Sequence, residues 1–225
     1  SGSASAPSVS ALGGYYPGDN SLYGKIDDVR IYRRALTTDQ ITDLYTNYRG
    51  GYVEGVSGMG LNVPHPGNAI LCGSPLIGPA FTYACWCKPG SGDSLHGLIT
   101  NLNHTPDCYG TSLYQLQDRL AVASGDGAGN RPADIWSSVF PDIGVWYHVA
   151  AVYDGTKYTL YVNGQASPTT YTRTVAQNST PIYIGRWASD YSTNYPVSGV
   201  IDDARVYNRA LSAQEILGLY AWPGG

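Results

Sequence analysis

The chain has 225 residues, enough for one sizeable domain, and a formal net charge of −4. Only 13 Lys and Arg argue against nucleic acid or an anionic membrane as the main partner, and no apolar run approaches the roughly 20 residues of a membrane span. Charged residues make up 13%, against about 25% in an average soluble protein, and Tyr, Gly, Ser and Thr take their place. A surface of that kind suits recognition or packing against other chains.

Residues 1–8 (SGSASAPS) read as a linker by composition. The opening SGSASAPSVS lacks the charged and apolar regions of a signal peptide, as a mature or excised secreted piece would. Residues 9–50 then carry the first copy of a unit that is written twice. Residues 24–45 (GKIDDVRIYRRALTTDQITDLY) match residues 199–220 (GVIDDARVYNRALSAQEILGLY) at 12 of 22 positions without a gap. Strict alternation predicts a strand with Ile26, Asp28, Arg30 and Tyr32 on one face and Asp27, Val29 and Ile31 on the other. Thr37 with Gln40, and Ser212 with Glu215, have the spacing of a capping box. A short helix follows, its apolar stripe formed by Ile41, Leu44 and Tyr45, or by Ile216, Leu219 and Tyr220.

From residue 51 onward the pattern is a series of short strands. AILC (69–72), FTYACWCK (81–88), LIT (98–100), SLYQLQ (112–117) and RLAVAS (119–124) come first. VWYHVAAVYD (145–154) turns at Asp154-Gly155 into KYTLYVN (157–163), which turns at Asn163-Gly164. Both dipeptides favour hairpins because the central residues must accept positive φ. TPIYIGRW (180–187) leads into the second copy of the repeated unit. Strands about every ten residues with antiparallel turns predict an all-β, two-sheet antiparallel sandwich, with short helical turns only after the duplicated strand unit.

The ordered series carries a family resemblance. Gly58 and Gly60, F-T-x-x-x-W-x-K-P (Phe81 to Pro89), W-x-H-V-A-x-V-Y-D-G (Trp146 to Gly155), L-Y-V-N-G (Leu160 to Gly164), I-x-I-G and G-x-I-D-D-x-R-x-Y-x-R-A-L resemble laminin-G-like (concanavalin A-like) jelly-roll domains. The likeness covers about residues 52–222, so residues 51–225 are expected to form one such domain. It implies a curved sandwich that works outside the cell or at its surface, in recognition and adhesion, on glycan or protein. Residues 9–50 have no place in a single copy. They look like the surplus closing piece of a preceding or neighbouring jelly roll, packed in cis or in trans. That suggests an alternative function: a structural subunit of an extracellular fibre or sheath that self-associates through this unit.

Chemistry is sparse. The Asp27-Asp28 and Asp202-Asp203 pairs invite calcium, since carboxylates with loop carbonyls suit a hard cation and the resembled family often holds calcium that way. An ion pair with Arg30 or Arg205, two residues on, is the preferred reading of these acids. Related jelly rolls include glucanases with an E-x-D-x-E strand, but no such triplet occurs in this sequence, so a glycoside hydrolase is the least favoured reading. Trp187, Tyr191 and Tyr195, in RWASDYSTNYP, set flat rings among Ser, Asp and Asn and are the candidate ligand-binding residues. His148 reads as a sheet-face histidine rather than a ligand. Cys72, Cys85, Cys87 and Cys108 lack zinc spacing and are expected to form two disulfides, with the pairing open. Asn103 and Asn178 head N-glycosylation acceptors.

Overall fold

A computed structural model describes Thr38 and residues 52–57, 59–62, 70–72, 78–90, 95–103, 108–129, 133–176, 179–187 and 198–223. The chain divides into two compact units, Ser1–Ile41 and Thr42–Gly225. The expected surplus piece, residues 9–50, lies outside the described residues except for Thr38. All the strands and the helix named here belong to the second unit.

The strands are β1 (Tyr52–Glu54), β2 (Met59–Asn62), β3 (Ile70–Leu71), β4 (Phe81–Pro89), β5 (Leu95–Thr100), β6 (Thr111–Leu116) and β7 (Arg119–Ser124). They continue with β8 (Ala133–Trp136), β9 (Tyr147–Tyr153), β10 (Lys157–Val162), β11 (Gln165–Thr172), β12 (Tyr183–Ile184) and β13 (Gly199–Tyr207), followed by helix α1 (Ala213–Ala221). One sheet has the order β1-β2-β13-β4-β9-β10-β11 and the other β3-β12-β5-β6-β7-β8, with every pairing antiparallel. The two-sheet sandwich expected from the strand spacing is therefore present.

The hairpin dipeptides behave as their chemistry requires. Asn163 (φ +50) and Gly164 (φ +77) make the two-residue turn from β10 to β11, and Gly155 (φ +102) serves the turn from β9. The Asp154 carboxylate locks that earlier turn by accepting N–H bonds from Thr156 and Lys157, each at 2.9 Å.

The main core lies between the sheets. Phe81, Tyr83, Cys85 and Cys87 of β4 meet Leu98, Ile99, Leu113, Leu120, Val122 and Ile135 of the other sheet. The tyrosines are placed where their hydroxyls find partners: Tyr83 donates to Asn101 Oδ1 (3.2 Å), Tyr158 bonds Thr111 Oγ1 (2.6 Å), and Tyr153 donates to the Gly155 and Arg173 carbonyls (2.8 Å each). β4 reads as an unbroken apolar run because its opposite face is covered too. There Ile216 of α1 and Leu211 just before the helix pack on Ala84, Ala150, Val152 and Tyr161, and Tyr220 stacks on Trp86 at 5.5 Å. The capping box of α1 is complete, with Ser212 Oγ accepting from Glu215 N and Glu215 Oε2 accepting from Ser212 N at 2.8 Å.

Two expectations are corrected. Strict alternation along the repeated strand fails, because the register of β13 against β4 shifts between Asp202 and Arg205. Asp203 takes φ +47, a conformation Asp tolerates better than most residues, and the bulge resets the faces. Ile201 and Ala204 pack on the inter-sheet core, while Tyr207 faces the helix. The second concerns the cysteines, among which the structure forms no disulfide. The two-residue spacing of Cys85 and Cys87 points both into the inter-sheet core as small apolar groups, while Cys72 is exposed. Burial pushes the Cys87 thiol up to about 12, so it is inert as a nucleophile at neutral pH.

Candidate functional site

The outer face of the six-stranded sheet carries the most suggestive cluster. Leu113, Leu120, Val122 and Ile135 point into the core, so the alternate residues Tyr114, Ala121, Ala123, Asp134 and Trp136 stand on the opposite face. Register puts Tyr114 beside Ala121, Ala121 beside Trp136, and Ala123 beside Asp134. The alanines leave room for a row of rings. Trp136 meets Tyr114 edge to face at 6.2 Å, and Trp187 meets it from another side at 5.2 Å and 80°. Tyr114 donates its hydroxyl to Asp134 Oδ1 at 2.7 Å. Burial, with Asp134 beside it, pushes the phenol far above its ordinary pKa and keeps it a donor.

Trp187 reaches this row because of a glycine. The chain after β12 crosses β5 at Gly97, where a Cβ would stand 2.4 Å from the Arg186 carbonyl oxygen. That same oxygen accepts from Thr100 Oγ1 at 3.0 Å. The crossing presses Trp187 onto Leu102, Tyr114, Ala121 and Ala123, leaving it 4% exposed. The expectation of an open, ligand-stacking ring at Trp187 is thus corrected: it supports the face from within. Tyr191 and Tyr195 lie outside the described residues. Trp136 is half-buried and Asp134 exposed, so these two are the reachable groups of the row. Sequence reasoning does not single out either of them. The signal is present in ADIW, whose alternate residues place an acid and an indole on one face.

A second concave feature lies beside α1, a groove of about 300 Å³ lined by Tyr207, Arg209, Glu215, Leu219 and Trp222 among others. Trp222 is 76% exposed, and Arg209 pairs with Glu215 at 2.7 Å.

The Asp pair is committed elsewhere. Asp202 Oδ2 accepts from Ser57 N at 2.9 Å and its Oδ1 from Asp203 N at 2.8 Å. Asp203 Oδ1 pairs with Arg205 Nε at 2.6 Å. These carboxylates are engaged by N–H and guanidinium donors, and no metal-holding cluster of three or more His, Cys, Asp or Glu occurs among the described residues. His148 lies on the outer face of the seven-stranded sheet, 2% exposed and edge-on to Trp86 at 5.5 Å. Its Nδ1 has no hydrogen-bond partner among the described residues, and burial lowers its pKa to about 4. Asn103 is half-buried and paired through its backbone with Tyr109, while Asn178 lies outside the described residues.

Comparison with known proteins agrees with the fold. A laminin-G model of the concanavalin A-like lectin/glucanases superfamily matches residues 67–217. The chain belongs to that superfamily. Among curated proteins none matches the sequence. Several solved structures share the fold at low identity. The CBM40 domain of the Ruminococcus gnavus IT-sialidase, bound to alpha2,3 sialyllactose, is 19% identical with a TM-score of 0.53, covering 63% of this chain and 82% of that one. Domain 4 of AbnA, an extracellular GH43 arabinanase from Geobacillus stearothermophilus in complex with arabinotriose, is 20% identical with a TM-score of 0.55, covering 76% and 80%. A heptameric SAP-like pentraxin from Limulus polyphemus is 18% identical with a TM-score of 0.54, covering 70% and 79%.

Proposed function

We propose that this domain is a non-catalytic glycan-recognition module that works outside the cell or at its surface. The observation that carries the reading is the row on the outer face of the six-stranded sheet. There a reachable indole, Trp136, stands on the same face as a reachable carboxylate, Asp134, which accepts a hydrogen bond from a buried phenol. An aromatic face packs on the C–H side of a pyranose or furanose ring, and a fixed acceptor takes its hydroxyls. Similar folds complexed with sialyllactose and arabinotriose support a sugar as the ligand. The reading is non-catalytic because the sequence lacks the paired acids of a glucanase strand.

The test is a glycan array followed by titration calorimetry on the best hit, with Trp136→Ala and Asp134→Asn beside the parent chain. Trp136→Ala is expected to weaken binding at least tenfold while the chain stays folded at the assay temperature, with some loss of stability from the Tyr114 contact. Binding unaffected by both substitutions, or turnover of the glycan, contradicts the proposal.

A further inference from the structure

The outer face of the six-stranded sheet extends well beyond Trp136. Ile182 and Ile184 point into the inter-sheet core, so Tyr183 of β12 stands on the opposite face, the one that carries Trp136 and Asp134. Register leads from Tyr183 to Thr100, Ser112, Ala123 and Asp134, one partner on each successive strand. The ends of that row are four strand spacings apart, about 19 Å. A short oligosaccharide, rather than a single sugar, fits such a span.

An arginine lies over a ring towards each end. The Arg186 guanidinium sits 4.2 Å from the ring centre of Tyr183. Its main chain is fixed by the close crossing at Gly97, and its carbonyl oxygen accepts from Thr100 Oγ1. Arg119 of β7 is two residues from Ala121 and shares its face, which makes it the diagonal neighbour of Trp136. Its guanidinium lies 4.8 Å from the ring centre of the exposed Phe140.

Stacking occupies the flat face of a guanidinium and leaves its N–H edge for an acceptor. In this pair the edges are unused. Arg173, Arg205 and Arg209 each pair with a carboxylate, on Asp126, Asp203 and Glu215. Arg119 and Arg186 pair with no acid among the described residues, and Arg186 Nε is buried there without a hydrogen-bond partner. Among the described residues that strand alternation puts on this face, the negative charge comes from Asp134, which already accepts the Tyr114 hydroxyl. The chain carries a net charge of −4, yet this face presents two cations without counter-ions.

We infer that the glycan taken by this face is anionic, its carboxylate or sulfate groups engaging Arg119 and Arg186 while a sugar ring packs on Trp136. The inference rests on the glycan reading of the same face and adds the ligand's charge. The planar fork of a guanidinium matches two oxygens of either group, and such charge-assisted pairs are the stronger hydrogen bonds.

The test is titration calorimetry on matched charged and neutral sugars: trigalacturonate and its methyl ester, sialyllactose and lactose, sulfated lactose and lactose. The parent chain is run beside the Arg119→Gln, Arg186→Gln double variant and Trp136→Ala. In at least one pair the charged member is expected to bind about tenfold more tightly, a preference that shrinks as salt rises and falls to about twofold or less in the double variant. Preference in the first two pairs identifies a carboxylate, and in the third a sulfate. The inference is overturned if the neutral members bind as tightly, or if the preference survives loss of both guanidiniums. Neutral binding that Trp136→Ala abolishes leaves the glycan reading standing while this one falls. Silence in every pair also overturns it, and the glycan array then judges the broader reading alone. Should the double variant fail to fold, Arg119→Gln and Arg186→Lys decide singly, the second keeping the charge but losing the fork. Each is expected to lower the preference about threefold, and no change in either overturns the inference.

Discussion

His148 shows how much a single side chain contributes to the behaviour of this sandwich. It lies under the C-terminal half of α1, edge-on to Trp86 and tilted against Tyr220, with Asp203 and Arg205 exerting opposite pulls on its charge. Burial prevails and the folded pKa falls to about 4, against about 6.5 in an unfolded chain. The unfolded state therefore takes up a proton first as pH drops. The stability tied to this residue is complete above about 6.5 and is lost between there and about 4, amounting to roughly 3 kcal/mol if the whole shift is realised. Urea unfolding from pH 7 to pH 4.5 is expected to show a falling midpoint, and His148→Gln is expected to flatten that fall. A slope unchanged in the variant removes His148 from the account. Its residue type and sheet-face position were legible in W-x-H-V-A. The helix that buries it was legible only as a local pattern, since nothing in the order of residues said which face it would cover.

At the scale of elements, the crossing of the chain over β5 decides the candidate site. Gly97 and the Arg186 carbonyl oxygen are close enough that any side chain at 97 must move the segment bearing Trp187. Gly97→Ala is expected to cost about 1–3 kcal/mol by overpacking. Gly218→Ala, in α1 with open space around its would-be Cβ, is expected to stabilise by up to about 1 kcal/mol. Denaturant midpoints of the pair check both signs at once. These elements also mark where sequence reasoning reaches and where it stops. Asp154-Gly155, Asn163-Gly164 and the Ser212–Glu215 cap are local chemistry, and each forms the expected structure. The bulge at Asp203, the burial of Trp187 and the free state of Cys85 and Cys87 depend on what lies across from them, which no local pattern records. β8 and β11 are also illegible locally: the first has four residues, and the second is mostly exposed and shows no apolar alternation.

For the molecule as a whole, the family and the two-sheet architecture were legible because the motif series is ordered along the entire domain. The position of a ligand was not, since folds of this kind offer two outer faces and a rim. Here one outer face is occupied by α1 and the other holds the Trp136–Tyr114–Trp187 row. The most direct measurement is a 1H–15N NMR titration of the full chain with the oligosaccharide that binds best. Shifts centred on the Trp136 indole, Asp134 and the β7–β8 backbone are predicted. Shifts confined to Trp222 and the groove beside α1 contradict it.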